Sequence, residues 1–197
     1  MIYYQQGESD KPMQSQLIET YFSEVIRSIQ NLPRQELLKV IDILQIARLE
    51  GKTVYVFGNG GSAATASHIV CDFGKNTRQP GKPTIKIIAL NDNMATFSAY
   101  ANDEGYERVF VEQLIPLANP GDVALAISGS GNSLNVLLAV EAARQIGMVT
   151  VGLTGFEGGK LKDLVETCVI VPSDDIAAVE DVHMVIDHVI TTILSQM

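Results

Sequence analysis

After Gly51 the chain carries a set of short apolar runs that lack in–out alternation: VYVF, VALAI and VTVGL. A strand with one wet face alternates polar and apolar residues, whereas continuous runs of this kind belong to strands covered on both faces. Such runs fall at 53–57, 84–90, 123–128, 149–153 and 168–171. Helical stretches near 63–74, 93–115, 132–146 and 159–165 separate them, and a long final helix follows from about 175 to 195. This order joins parallel strands through helical crossovers. The expected fold class is therefore α/β, a three-layer αβα sandwich on a five-stranded parallel sheet. Ligands of such sheets sit beyond the carboxyl ends of the strands, near a topological switch point.

Ahead of this core, residues 1–11 are polar and read as a loose arm. Leu17, Tyr21, Val25 and Ile29 then recur every fourth residue with Ile18, Phe22 and Ile26 beside them, the pattern of a helix over 13–29 with a broad apolar stripe. Pro33 interrupts, and Leu37, Leu38, Ile41, Leu44 and Ala47 mark a second helix over 35–49 that Gly51 is placed to end. The later segments already supply helices for both faces of the sheet. The pair at 12–50 is thus expected to pack on neighbouring copies of the chain, coverage of the sheet being the alternative.

No repeat or linker marks a second domain, and 197 residues with 46% hydrophobic content suit one domain spanning 1–197. Fourteen Lys and Arg against 23 Asp and Glu give a net charge of -9, which argues against nucleic acid as a partner but allows a pocket for one small anion. No window reaches the roughly 18 apolar residues of a membrane span. The start, MIYYQQGESDK, lacks the cationic and apolar regions of a signal peptide. Cys71 and Cys168 cannot form a disulfide framework and fit a reducing compartment. A cytoplasmic location is the expectation.

Two strand-end loops suit a phosphate. The first strand runs into Gly58, Asn59, Gly60, Gly61 and Ser62, then a helix of small residues; glycines there let the backbone turn and aim N–H groups at an anion. A dinucleotide fingerprint fails because Ala63 stands where its third glycine should be, and no Gly-Lys-Ser/Thr makes a Walker loop. A purely structural turn is the alternative. The third strand ends in Ser128, Gly129, Ser130, Gly131, Asn132 and Ser133, again at a helix start. One serine there could be an ordinary cap. Three hydroxyls exceed that need and, without a lysine, suit a monophosphate held by neutral donors.

All three histidines fall in two helices. His68 and Asp72, four apart, share a face of the helix after the first loop. Glu180, His183, Asp187 and His188 lie on the last helix. Glu180 and His183, three apart, resemble half of a dimetal site whose other half is missing. Asp187 and His183 read as solvated positions, and Cys71 as a small buried thiol rather than a ligand.

Taken together, the 58–62 loop, His68, ANDEGYERVF at 101–110, SGSGNS at 128–133, LTGFEGG at 153–159 and VEDVHMVIDH at 179–188 resemble a sugar isomerase (SIS) domain. Within that superfamily the chain looks most like the bacterial phosphoheptose isomerases, over nearly its whole length. The resemblance implies the SIS fold and conversion of a ketose phosphate to an aldose phosphate, closest to sedoheptulose 7-phosphate giving D-glycero-D-manno-heptose 7-phosphate. It implies substrate contacts from Asn59, Gly60, Gly61, Ser62, Asn102, Asp103, Ser128, Gly129, Ser130, Ser133 and Glu180. The family's metal and catalytic positions hold His, Glu, Gln and His, matching His68, Asp72, Glu180 and His188 here. Asp72 is one methylene shorter than the family's base, a displacement of about an ångström that can matter to rate. Glu180 in place of Gln adds a charge that would attract a divalent cation.

The family's arginine beyond the base is Asn76 here, with Lys75 next door. The implied set is two histidines and two carboxylates, a zinc-type donor set. Asp72 is the expected base and His188 its acid–base partner, with the metal or His68 polarising the sugar oxygens. A homotetramer is implied, with active sites at subunit boundaries, so that His188 would face His68 of another chain. Two alternatives stay open: an isomerase of a different sugar phosphate, and a non-catalytic SIS regulator that binds another protein such as a replication initiator. Retention of His68 and His188 argues against the regulator.

Overall fold

The computed structural model describes residues 11–197, so the arm expected at 1–11 lies, Lys11 apart, outside the described residues. Helices α1 (Lys11–Gln30) and α2 (Arg34–Glu50) lead into β1 (Thr53–Gly58). Gly51 closes α2 with φ 67, a left-handed conformation that glycine adopts without a Cβ penalty, and its N–H returns to the last helical carbonyls. Then follow α3 (Gly61–Cys71), a π-helical turn (Asp72–Asn76), β2 (Lys86–Ala89), α4 (Met94–Asp103), a 3-10 turn (Tyr106–Arg108) and α5 (Val111–Leu114). The chain ends through β3 (Val123–Ile127), α6 (Leu134–Ile146), β4 (Val149–Thr154), α7 (Leu161–Leu164), β5 (Thr167–Ile170) and α8 (Ile176–Leu194).

All five strands pair in parallel in the order β2-β1-β3-β4-β5. From β1 the chain moves outward to β2, then returns past β1 to β3 and builds away on the other side. The crevice between the carboxyl ends of β1 and β3 is therefore the switch point, where ligands of such sheets collect. The continuous apolar runs have a direct cause. Val54, Val56, Leu125, Ile127, Val151 and Leu153 feed a core shared with α2, α3 and α8. The intervening Tyr55, Phe57, Ala124 and Ala126 feed a second core with Phe110, Leu114, Val136 and Val140. Successive strand side chains point to opposite faces, and here both faces are dry.

Two expectations need revision. The stretch 93–115 is not one helix: Gly105, at φ 101, breaks it, and two short helical pieces follow. The leading helices also divide their work. In α2, Leu37, Val40, Ile41, Leu44 and Ala47 are buried against the sheet, so this helix covers the core rather than being surplus to it. In α1 only Ser28 is buried; Val25 and Ile29 touch the core, while Met13, Leu17, Ile18, Phe22 and Ile26 stay more than half exposed. No described helix is long and apolar enough to cross a membrane.

Candidate active site

Two helices bring four donors together. α3 carries His68 in its last turn and then widens into the π turn, which begins at Asp72. α8 supplies Asp187 and His188. His68 Nε2 lies 3.2 Å from His188 Nε2, the rings meeting edge to face. Asp72 Oδ2 is 3.6 Å from His68 Nε2 and 3.9 Å from His188 Nε2. Its other oxygen accepts a 2.9 Å bond from Asn76 Nδ2, which fixes the carboxylate's orientation. Asp187 Oδ2 lies 3.7 Å from His68 Nε2 and has no hydrogen-bond partner, although it is fully buried.

One donor atom from each of the four residues falls within 4.8 Å of the others. Burial, reinforced by the Asp72 charge and opposed by the two histidines, raises the Asp187 carboxyl from 3.8 to about 6. An orphaned buried oxygen beside a second carboxylate and two facing ring nitrogens is costly alone and well matched to a divalent cation. The residues present fit zinc, a borderline ion that accepts imidazole and carboxylate together.

The switch-point crevice lies beyond the amino end of α3. Across it, Ser128 Oγ donates to or accepts from Ser133 Oγ at 3.2 Å, and the exposed Ser130 hydroxyl accepts from the Asn132 N–H. Gly131, at φ 65, has no room for a side chain, because a Cβ there would strike the Gly158 carbonyl. The serine loop is thus seated directly on the 155–159 loop, tied by Leu161 N–H to Gly131 O at 3.0 Å and Gly155 N–H to Gly129 O at 2.8 Å. Backbone this tightly packed holds the serine donors in a fixed array. On the other side of the crevice the Glu180 carboxylate lies against Gly61, where an added Cβ would overlap it.

A model of the SIS domain family matches residues 20–155 of this chain. The chain belongs to the SIS domain family. It is 42% identical over 78% of its length to the phosphoheptose isomerase of Roseiflexus sp., of which it covers 77%. It is 36% identical over 92% of its length to that of Aliarcobacter butzleri, of which it covers 97%. Among solved structures it resembles the phosphoheptose isomerase of Neisseria gonorrhoeae, with a TM-score of 0.86 and 27% identity over 93% of this chain and 100% of that one.

Within this SIS domain the residues expected at the metal centre separate. His68, Asp72 and His188 come together; Glu180 does not join them, and Asp187 is the fourth donor among the described residues. All four donors come from one chain, and His188 meets His68 of that same chain, where it was expected to face His68 of another. Asp187 and His183, expected in solvent, are both fully buried, whereas Cys71, expected to be buried, is exposed. His183 holds the Thr154 carbonyl at 3.2 Å through Nε2, and burial lowers its pKa from 6.5 to about 4. A signal for Asp187 was present: His183, Asp187 and Thr191 form an i, i+4 polar line on the same side as Val179, Val182, Ile186 and Ile190. Polar residues in the buried register of an apolar helix have partners or a task.

The remaining expected contacts sit at the exit of β1 and at the end of α4. Asn59, Gly60, Gly61 and Ser62 form the exit of β1 and the start of α3, with Ser62 buried. Asn102 and Asp103 end α4, bonded to each other at 2.8 Å and exposed. Three residues beyond Asp103, the Tyr106 hydroxyl reaches Asn59 Oδ1 at 2.9 Å and brings that turn to the crevice.

Proposed function

We propose that this SIS domain is a sugar-phosphate isomerase that interconverts sedoheptulose 7-phosphate and D-glycero-D-manno-heptose 7-phosphate. The observation that carries the proposal is the pairing of a neutral, hydroxyl-lined anion site at 128–133 with the His68, Asp72, Asp187 and His188 group on the adjoining helices. The phosphate belongs to the serine loop. Glu180 stands against the first loop, and a carboxylate at that helix start disfavours a second anion there. The first loop, Asn102 and Asp103 are then left for the sugar hydroxyls.

Isomerisation moves one proton between neighbouring carbons through an enediol. Asp72 takes the proton from carbon 1 of the ketose and returns it to carbon 2, and its Asn76 bond keeps one oxygen turned toward the histidines. His188, exposed at its ring, carries the proton between the two sugar oxygens as carbonyl and hydroxyl exchange places. Zinc held by His68, Asp72, Asp187 and His188 would supply polarisation of those oxygens. Burial of Asp72 against α3 and α8 limits the water that could compete for its proton.

The exposed apolar stripe of α1, from Met13 through Ile26, is best covered by other copies of the chain, and we place the enzyme in the cytoplasm as a homotetramer. Incubation with sedoheptulose 7-phosphate, with and without added zinc, followed by identification of the product, tests the reading. An aldoheptose 7-phosphate should form, and faster with zinc. No product under either condition would overturn it.

A further inference from the structure

The expected role of Asn59 as a direct substrate contact meets an obstacle in its own hydrogen bonds. Its Oδ1 accepts from Asn135 Nδ2 at 2.9 Å and from the Tyr106 hydroxyl at 2.9 Å, which fills both lone pairs. Its Nδ2 donates to Asn135 Oδ1 at 2.8 Å, and Asn135 Oδ1 also accepts from the Val136 N–H at 2.9 Å. Asn135 is 3% exposed. The two amides therefore form a closed reciprocal pair, and the phenol completes a node in which the Asn59 oxygen is fully engaged and the second N–H of its amide is all that side chain can offer a ligand.

That node joins three segments: the exit of β1, the first turn of α6, and the 3-10 turn that follows Asn102 and Asp103. It spans the switch point. Beneath it, Gly58 pairs with Ile127 across the two strands, and a Cβ at Gly58 would lie 2.7 Å from the Ile127 carbonyl and 2.8 Å from Ser62 Cβ. The strand ends thus have no slack, and the amide pair repeats the constraint one layer higher. Two antiparallel bonds between planar amides fix distance and orientation together, which one bond cannot.

We propose that Asn135 and Tyr106 are positioning residues that act through Asn59 to set the spacing between the phosphate-holding loop and the sugar-facing loop. The proposal rests on the sugar-phosphate reading above. Its consequence is specific to length. A ligand that touches both loops needs their spacing; inorganic phosphate, which touches only the serine loop, does not.

Equilibrium titration of Asn135→Ala and Tyr106→Phe with sedoheptulose 7-phosphate and, separately, with inorganic phosphate tests this. The sugar-phosphate Kd should rise about tenfold in Asn135→Ala and about threefold in Tyr106→Phe, the scale of lost hydrogen bonds and ångström misplacement. Phosphate affinity should stay close to that of the unaltered protein, and in turnover KM should rise far more than kcat falls. Tyr106 is half exposed, so its hydroxyl can be removed without threat to folding and the test survives a damaged Asn135 variant. Unchanged sugar-phosphate affinity in both variants overturns the proposal. So does an equal loss for both ligands, which would mean local support of the serine loop. If the titrations behave as stated while the unaltered protein turns nothing over, only the isomerase reading falls; if the unaltered protein binds neither ligand, both fall.

Discussion

His183 and His188 stand five residues apart on α8 and have opposite environments. Five residues turn about 140° around a helix, so one ring faces the sheet and the other the α3 groups. His183 has no exposed surface, holds a backbone carbonyl and is kept neutral by burial. His188 is exposed and stands 3.2 Å from a second imidazole and 3.9 Å from a carboxylate. A histidine's role follows from what faces it. An imidazole with one carbonyl partner in a dry core is a structural donor. One that shares a small space with carboxylates and another imidazole can carry a proton or hold a metal.

The sharpest way to break the contrast is to remove each ring in turn. His188→Ala should lower kcat by about 10³-fold, the typical worth of a positioned acid–base group. His183→Asn should leave turnover much closer to that of the unaltered protein at neutral pH. Steady-state assays of both decide the matter, and comparable losses would erase the distinction. Asp187 and Glu180 offer the same contrast among carboxylates. Asp187→Asn should weaken zinc binding, read by competition with a chromophoric chelator, by at least about tenfold, since a ligand is lost. Glu180→Gln should change it little. The reverse ranking would return Glu180 to the metal centre. At the other end of the crevice, Ser130→Ala should weaken sugar-phosphate binding by about tenfold, the loss of one hydrogen bond to a charged group.

The fold was legible because its signal is long and redundant. Five apolar runs, the three central ones dry on both faces, leave little choice but a parallel sheet under two helical layers, and Gly51 marks where it begins. The assignment of α2 was harder, because periodicity reveals a stripe but not what the stripe touches; Leu44 and Ala47 turned out to belong to the sheet's own core. His68 and Asp72 were legible as a pair because helical spacing alone puts them on one face. Asp187 was not, because its partner sits more than a hundred residues away on α3. Only the packing of α8 against α3 turns an acid in an apolar register into a donor. Glu180 illustrates the converse: a family position can be matched in sequence while its side chain points to another part of the site.

The smallest expected effect concerns stability and isolates His183. Its pKa is lowered from 6.5 to about 4 by burial, so between those values the unfolded chain binds a proton that the native state refuses. Stability contributed by the neutral ring is present in full above about pH 6.5, is lost as pH falls toward 4, and loses nothing further below that. The slope approaches about 1.4 kcal/mol per pH unit for one proton. Asp187 works in the opposite sense. Its raised pKa lets the native state hold a proton between 3.8 and about 6, so its contribution is present at low pH and lost as pH rises through 6. The two partly cancel in the unaltered protein, and its total slope is therefore uninformative. The difference between it and His183→Asn is informative, because Asp187 is common to both. Urea unfolding of the pair across pH 4 to 7 should show the unaltered protein losing stability relative to the variant as pH falls. Curves that stay parallel would mean that His183 takes up its proton without leaving the core, and its contrast with His188 would be one of position alone.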